Sequence, residues 1–317
     1  MDSERITDLA IDFLQNSDQT RPVYVYMAFR SVHMPYVASP AFRDLCALGN
    51  ASAICYNGPT LSSRQLDYFG CVHGIDVAVG RMRQALRQYR TDWEDTILVF
   101  SSDNGPVSPK NGGAGSTGGL RGWKRSLFEG GIRLPFVLEW PKMISQNLVS
   151  TALTTIEDIP TTMELLITGN NPQVHRDGIN LVDVINSPSN YVRPTPHIVC
   201  SSVDPALANS GVICPSFCVI DPTGTWKLIV SRSNPTSVSV GKLVVTGLYN
   251  IPAGETENLA KSEKKQVKIM MAMAEQGISN IFSDFQNNCP SYYGKHAYGG
   301  PKVSIWEPPD VLWSTPE

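Results

Sequence analysis

The spacing of apolar residues along the first hundred positions predicts helices and strands in turn. Residues 2–15 place apolar positions at helical spacing. A continuous apolar run at residues 23–29 is rich in β-branched and aromatic residues, and it predicts a strand buried on both faces. Residues 62–89 have apolar positions three or four apart, which predicts a long helix, and residues 96–102 predict the next buried strand.

The later part of the chain continues this pattern and then changes character. Residues 135–140 and 196–202 predict two more strands, and residues 154–167 predict a helix after an irregular start. Two short apolar runs around Asp221 and Gly224 then indicate a hairpin within residues 217–230. A further apolar run, an amphipathic helix and a tail without periodicity follow, at residues 241–251, 261–277 and 278–317.

Strand, helix and strand in sequence order are typical of a parallel sheet with helices on its faces. The sequence therefore predicts an α/β fold with a mostly parallel sheet sandwiched by helices. A smaller antiparallel sheet packed by a helix is expected at the C-terminal end. We place the boundary between residues 1–201, the α/β domain, and residues 202–317, a small α+β subdomain with an irregular tail.

Composition indicates a folded chain and excludes some function classes. The 317 residues are 42% hydrophobic and 17% charged, with a formal net charge of −3. This charge gives no electrostatic reason to expect a nucleic-acid partner. The sequence has no run of eighteen apolar residues, so we expect no membrane span, and the charged first residues are unlike a signal peptide. Nothing in the sequence indicates the oligomeric state.

Seven cysteines are present, and Cys200, Cys214, Cys218 and Cys289 lie in the turn-rich last third. Their spacing matches neither a zinc site nor a redox pair, so disulfides in an oxidising compartment and plain buried thiols both remain open. Asn50 begins the glycosylation sequon Asn-Ala-Ser, which indicates a glycoprotein.

Polar residues follow the ends of two predicted strands. His33 and Asp103 would meet at one edge of a parallel sheet, where ligands of such sheets bind. Asp103 and Asn104 offer the hard oxygen ligands that suit calcium or magnesium. The alternative is an Asp-Asn-Gly turn that caps the strand. Two ligands are fewer than the six to eight oxygens of a calcium site, so the others must come from elsewhere.

A glycine-rich loop and a group of cations follow Asp103. Residues 112–119 contain five glycines without the spacing of a phosphate loop or a dinucleotide loop, so flexibility is the simple explanation. Arg121, Lys124 and Arg125 could neutralise a sulfate or phosphate, or form a solvated basic turn. His33 could be a general acid, an anion donor or a surface residue. No nucleophile is indicated by a motif.

Several motifs in order resemble the C-terminal half of the sulfatase family. They are SSDNGP, LRGWKRSLFEGGIRLPFVLEWP, TTIEDIPTTMELL, DGINLVDV, GTWKLIV and LYNIPAGETENLA, and the similarity covers about residues 22–260. The pairing of SVHMP with LRGWK is most similar to the arylsulfatase B, or N-acetylgalactosamine-4-sulfatase, branch.

The resemblance implies a calcium-dependent hydrolase of sulfate esters, acting on a sulfated sugar in the lysosome or outside the cell. It implies that Asp103 and Asn104 are metal ligands and that His33 and Lys124 contact the sulfate. A divalent cation, a lysine and a histidine would together stabilise charge on the transferred sulfuryl group.

The resemblance also indicates what the sequence lacks. Sulfatases carry a Cys-x-Pro-Ser-Arg motif whose cysteine becomes the formylglycine nucleophile, and the sequences CPSF at Cys214 and CPSY at Cys289 do not match it. The family's first aspartate pair is absent as well. We therefore expect a sheet that is incomplete at its N-terminal side, with an exposed edge that favours association or poor expression.

Three hypotheses follow from these features. The chain is a fragment of a sulfatase that is inactive alone, or a sulfatase-like module that binds sulfated glycans without catalysis. The third hypothesis is a related phosphate-ester hydrolase of the alkaline-phosphatase superfamily.

Overall fold

The computed structural model of the chain divides into two compact units, residues 1–148 and residues 149–317, which are described one at a time. The boundary predicted at residue 201 stays a prediction. The structure describes residues 2–47, 61–144, 147–170, 177–201, 215–234 and 240–288.

The first unit begins with helices. They are α1 (Asp2–Asn16), α2 (Pro40–Ala47) and α3 (Ser63–Tyr89). Ser62 starts α3 with a capping box, because its side chain accepts from the Gln65 backbone while the Gln65 side chain accepts from the Ser62 backbone. Apolar faces of α1 and α3 meet in a small core of Ala10, Leu14, Met82 and Ala85. The long helix predicted at residues 62–89 is confirmed.

Two short strands follow α3 and lead to the candidate site. Strand β1 (Leu98–Ser101) pairs with β2 (Phe136–Glu139) in antiparallel register, with Leu98 opposite Glu139. The short helix α4 (Glu129–Ile132) lies between them. Both strands were predicted, but their pairing is antiparallel, and every strand pair among the described residues is antiparallel.

The prediction of a strand buried on both faces at residues 23–29 is wrong. This segment forms no regular secondary structure and pairs with no strand in the described part of the chain. Val23 and Met27 pack against the α1–α3 core, whereas Tyr24 and Tyr26 are 77% and 80% exposed. One face therefore rests on helices, and no described neighbour covers the other. Burial of a strand depends on its neighbours, which its own sequence does not determine.

The second unit contains a four-stranded antiparallel sheet, as predicted for the C-terminal end. Its strands, in spatial and chain order, are β3 (His197–Cys200), β4 (Ser216–Ile220), β5 (Trp226–Arg232) and β6 (Leu243–Asn250). Helices α5 (Asp158–Thr168) and α6 (Leu181–Asn186) precede the sheet, and α7 (Lys264–Asn288) packs against it. Strand β3, which we expected in the α/β domain, belongs to this sheet.

The predicted hairpin joins β4 to β5. The Asp221 side chain accepts hydrogen bonds from the backbone of Thr225 and Trp226, and Gly224 supplies the left-handed turn with φ of 70°. Apolar side chains of the sheet and α7 form the core of the unit, including Phe217, Leu228, Leu248, Met270 and Ile278.

The cysteine prediction is corrected at one position. Cys218 is buried and forms no disulfide, as is the case for Cys71, so the disulfide hypothesis is wrong for Cys218 and the buried-thiol alternative holds there. Cys214, Cys289 and the Asn50 sequon lie outside the described residues. Among the helices that the structure describes, none combines the length and apolar character that a membrane crossing requires.

A buried ion pair connects α5 to the segment before β3. Arg193 Nη1 donates to both carboxylate oxygens of Asp158, at 3.0 and 2.9 Å, and both side chains are inaccessible to solvent. Asp158 also accepts from the backbone of Thr155 and Ile179, so its charge is fully compensated. The sequence motif TTIEDIP is explained by this network.

A second buried pair holds the sheet to the loop after β6. Lys227 Nζ lies 2.6 Å from Glu255 Oε1, with the two side chains at 0% and 1% exposure. Glu255 has a left-handed backbone, with φ of 58°. Removing one partner would leave the other charge buried.

We predict that Lys227→Met lowers the free energy of unfolding by about 3–5 kcal/mol, because Glu255 would lose its counter-ion. Lys242→Met serves as the matched control, since Lys242 is exposed and its loss should change stability by less than about 0.5 kcal/mol. Urea denaturation of both variants measures this. Equal stability of the two would contradict the assignment.

The same unit should lose stability in mild acid. Burial lowers the pKa of His197 below its ordinary value, although the nearby Glu157 carboxylate opposes the shift. The unfolded chain therefore takes up a proton below about pH 6.5 that the folded chain resists, and the free energy of unfolding decreases as pH falls from 7 to 5.5. In His197→Gln, denaturation curves across this range should show a flatter dependence; an identical slope in both proteins would refute the prediction.

Candidate active site

The acid-amide pair follows directly from the end of β1. Asp103 is exposed, and its carboxylate makes no ion pair with the residues that the structure describes. Asn104 is half-buried, and its Nδ2 donates to the Gly105 carbonyl at 3.1 Å, while Ser102 Oγ donates to the Asn104 carbonyl at 3.0 Å. Since the amide nitrogen is used within the turn, the Asn104 Oδ1 atom is left to accept from or coordinate a ligand.

Backbone contacts bring this pair to the lysine. Gly105 N donates to the Gly131 carbonyl at 2.9 Å, and Lys124 N donates to the Pro106 carbonyl at 2.8 Å. The approach is so close that a Cβ atom on Gly105 would overlap the Gly130 carbonyl oxygen. Asp103, Asn104 and Lys124 therefore lie on two segments held together by their main chains. We call the contact of Gly105 with Gly130 and Gly131 the glycine clamp.

The lysine turn itself closes on the same glycines. Gly130 N donates to the Arg121 carbonyl at 2.6 Å, and a Cβ atom on Gly130 would overlap the Gly122 carbonyl. A Cβ on Gly131 would overlap the Ser126 carbonyl. The glycine pair that ends the LRGWKRSLFEGG motif thus lets the turn that carries Lys124 fold back onto α4.

Lys124 differs from the arginines beside it. Arg121 stacks over the Phe128 ring, with Cζ 3.9 Å from the centroid, whereas Arg125 is exposed and has φ of 75°. Lys124 is half-buried, and its ammonium forms no ion pair within the described ranges. A cation in this position gains from an anionic ligand, because burial has already removed part of its hydration.

His33 lies in an exposed loop that fixes one of its ring nitrogens. Nδ1 is 2.8 Å from the Met34 carbonyl oxygen, and the His33 backbone N–H donates to the Arg30 carbonyl. Because a carbonyl oxygen only accepts, Nδ1 must carry the hydrogen, and this assigns the tautomer. Nε2 is then the ring atom that meets a ligand.

A chain of side-chain contacts leads from the His33 loop towards Lys124. Tyr36 packs edge-on against Tyr68 of α3, with ring centroids 5.3 Å apart. The Tyr68 hydroxyl lies 2.6 Å from the position of a Cβ on Gly115, and Pro106 Cβ is 3.0 Å from that position. Pro106 in turn accepts from Lys124 N. Burial raises the pKa of Tyr68, with Tyr36 adding to the shift, so this phenol is a neutral packing group.

Main-chain hydrogen bonds thus bring the segments of Asp103, Asn104 and Lys124 together. The His33 loop is connected to them through side-chain contacts. The clamp glycines and the two tyrosines were not predicted as parts of the site. The glycine pair in FEGG and the glycine after Asp103-Asn104 were visible signals, but their partner in space was not. Within the glycine-rich loop, Gly115 is packed, whereas Gly118 and Gly119 are left-handed with open space around them.

The described residues supply only part of a metal site. They contain no group of three or more histidine, cysteine, aspartate or glutamate side chains arranged to hold a metal. Asp103 and Asn104 offer two oxygen donors of the type that calcium prefers, and neither is consumed by an ion pair. The donor type fits calcium, and further ligands are required.

Comparison with known proteins decides the family. A family model described as Sulfatase matches residues 1–168, which is more than half of the chain. The chain belongs to the sulfatase family. The family prediction is confirmed, and the motifs that carry the four site residues all lie inside the matched range.

Curated sulfatases are similar over part of their length. Human N-acetylgalactosamine-6-sulfatase is 30% identical over 181 residues, which are 56% of this chain and 31% of that protein. Canine arylsulfatase G is 30% identical over 195 residues, 58% of this chain and 33% of that protein. The sulfatase chain described here thus spans about a third of the length of these relatives. The finer assignment to the arylsulfatase B branch stays a prediction.

Solved structures confirm the α/β class of this sulfatase. Ps i-CgsB superposes with a TM-score of 0.66 at 20% identity, covering 86% of this chain and 54% of that one. BT4656, solved in complex with its substrate D-glucosamine-2-N,6-O-disulfate, gives a TM-score of 0.64 at 16% identity and covers 89% and 70% of the two chains. At these identities the likeness shows the fold alone.

We predict that Gly105→Ala opens the glycine clamp. The added methyl group cannot coexist with the Gly130 carbonyl, so the acid-amide turn must move away from the lysine turn. Overpacking of this kind costs about 1–3 kcal/mol. Hydrogen exchange in this variant should be faster at the backbone amides of position 105 and Lys124.

Gly80→Ala is the matched control for this test. Gly80 lies on α3 with no atom within 4 Å of its Cβ position, so alanine there should be neutral or stabilise the helix by up to about 1 kcal/mol. Unaltered exchange in Gly105→Ala would show that the contact does not hold the site together.

Proposed function

We propose that this chain provides the sulfate-binding and metal-binding side of a sulfatase centre that hydrolyses sulfate esters in a calcium-dependent reaction. Asp103 and Asn104 are the metal ligands, and His33 and Lys124 contact the sulfate. The observation that carries the proposal is the glycine clamp, which brings the acid-amide turn to main-chain distance of the Lys124 turn. Among the described residues, neither Asp103 nor Lys124 makes an ion pair. Such a site offers oxygen donors to a cation and a cation to an anion.

The charges of these groups suit a sulfuryl transfer. A bound calcium ion would act as a Lewis acid on the sulfate oxygens. Lys124 would balance negative charge on the same group, and its half-burial strengthens that interaction relative to an ammonium in bulk water. The Lys124 main chain is fixed by its hydrogen bond to the Pro106 carbonyl, so little reorganisation is needed when charge develops.

His33 would donate a proton to the leaving alcohol. Its Nδ1 hydrogen is held by the Met34 carbonyl, so the second proton of a charged ring sits on Nε2. That proton can be donated to a sulfate oxygen or to the departing ester oxygen. The carbonyl also orients the ring, which is what a proton donor in a loop requires.

No residue of this chain is assigned as the nucleophile. The sequence contains no Cys-x-Pro-Ser-Arg, the motif that yields formylglycine in sulfatases. Turnover is therefore proposed for a protein in which this chain is combined with such a motif. A sulfatase-like module that binds sulfated glycans without catalysis is the alternative.

The substrate that we propose is a sulfated sugar. This is supported by relatives named N-acetylgalactosamine-6-sulfatase and by the disulfated glucosamine bound to BT4656. We also propose a lysosomal or extracellular location, a glycan on Asn50 and a disulfide at Cys200, all of which fit an oxidising compartment.

Binding to the chain tests the proposal. Calorimetry with N-acetylgalactosamine 6-sulfate should show that Lys124→Ala weakens binding about 10- to 100-fold, because a hydrogen bond to a charged group contributes about 1.5–3 kcal/mol. Asp103→Asn should weaken calcium binding. Asp76→Asn is the control, since Asp76 is an exposed aspartate on α3 and should leave both affinities as they are.

The outcomes separate the hypotheses. A sugar affinity that is unchanged by substitution of Lys124 and of His33 would refute the proposed site. Sugar binding that requires Lys124 but is indifferent to calcium and to Asp103→Asn would favour the non-catalytic module. We do not expect the chain alone to hydrolyse 4-nitrocatechol sulfate. Hydrolysis would show that the chain has a nucleophile that no sequence motif indicates.

A further inference from the structure

An exposed arginine lies beside the His33 loop. Arg64 is the second residue of α3 and is exposed, and it makes no hydrogen bond or ion pair with the described part of the chain. Its Nη1 atom lies 3.5 Å from the position of a Cβ on Gly112, and Met34 Sδ lies 3.6 Å from the same position. The guanidinium and the side chain of the residue that follows His33 therefore both border Gly112.

Helix stability does not explain this arginine. A positive charge in the first turn of a helix opposes the helix dipole and costs about 0.3–1 kcal/mol. The capping box of Ser62 and Gln65 already satisfies the helix end. A pair between Arg64 and Asp67, three residues on, is disfavoured because Asp67 is held by Arg43 Nε at 3.2 Å.

Arg64 lies on the face of α3 that contacts the His33 loop. Arg64 and Tyr68 are four residues apart and share one face of α3. Tyr68 contacts Tyr36 of the His33 loop and the Gly115 backbone beside Pro106. Arg64 thus lies at the His33 side of the loops that lead to Lys124, one helical turn beyond the tyrosine contact.

We propose that Arg64 binds a second anionic group of the substrate, so that the site selects sulfate esters that carry another sulfate or a carboxylate. This inference rests on the proposed function of the same site. A guanidinium presents a planar fork of donors that matches both groups, and an exposed one retains its full charge for a ligand. Arg64 would act as a specificity residue, while Lys124 and His33 bind the ester sulfate itself.

Two sugars of the same size test the inference on the full chain. N-acetylglucosamine 6-sulfate carries one sulfate, and glucosamine 2-N,6-O-disulfate carries two. In calorimetry at low salt, the wild-type chain should bind the disulfate about two- to fivefold more tightly, which corresponds to one exposed charge pair. Arg64→Gln should reduce the affinity for the disulfate to that for the monosulfate. Arg64→Lys should keep part of the preference.

Two further variants exclude a structural role. Arg87→Gln removes an exposed arginine from the last turn of the same helix and should retain the preference for the disulfate. Arg64→Glu should bind the disulfate less well than the monosulfate, yet melt at the same or a higher temperature, because an acid in the first helical turn is favourable.

The results distinguish this inference from the proposed function. A preference for the disulfate that persists in Arg64→Gln, while binding still requires Lys124, overturns the role of Arg64 and leaves the proposed function standing. A lowered melting temperature in Arg64→Glu assigns Arg64 a structural role and also overturns it. Failure of the chain to bind either sugar through Lys124 and His33 overturns both.

Discussion

The candidate site depends on one backbone hydrogen bond, from Gly105 N to the Gly131 carbonyl at 2.9 Å. It can form because neither Gly105 nor its neighbours Gly130 and Gly131 carry a side chain in the space where the two segments meet. A strand end and a tight turn far apart in sequence are thereby fixed at main-chain distance. This contact brings the acid-amide pair near Lys124, because the structure gives no hydrogen bond or ion pair between their side chains.

Charge pairing distinguishes the buried cations of the core from two cations near the candidate site. Arg193 and Lys227 are buried and matched by carboxylates within hydrogen-bonding distance, and they belong to the core of the second unit. In the first unit, Arg83 of α3 donates to both carboxylate oxygens of Glu139 at the end of β2. Lys124 and Arg64 have no such partner in the described residues, and both are near the loops that carry the site. Cations that the fold leaves unmatched favour an anionic ligand.

Local patterns predicted the elements, and contacts between distant segments decided the rest. The capping box and apolar spacing of α3 are contained in its own residues, and so are the strand propensity of β1 and the turn chemistry of Asp221 and Gly224. The burial of residues 23–29 and the pairing of β3 with β4 depend on neighbours that a local pattern does not name. Local patterns marked Asp103, Asn104, His33 and Lys124 only as candidates, and the family resemblance assigned their roles. Neither source predicted the tyrosine contact and the clamp that join their loops.

The chemistry of the four site residues limits the roles that we propose for them. In the proposed site, Asp103 and Asn104 supply two oxygens, fewer than the six to eight that calcium takes, so further ligands are required. Lys124 and His33 can hold and polarise a sulfate, but neither is placed as a nucleophile. In the function that we propose, positioning and charge compensation are the contributions of this chain, and bond formation to sulfur would require the formylglycine motif, which its sequence does not contain.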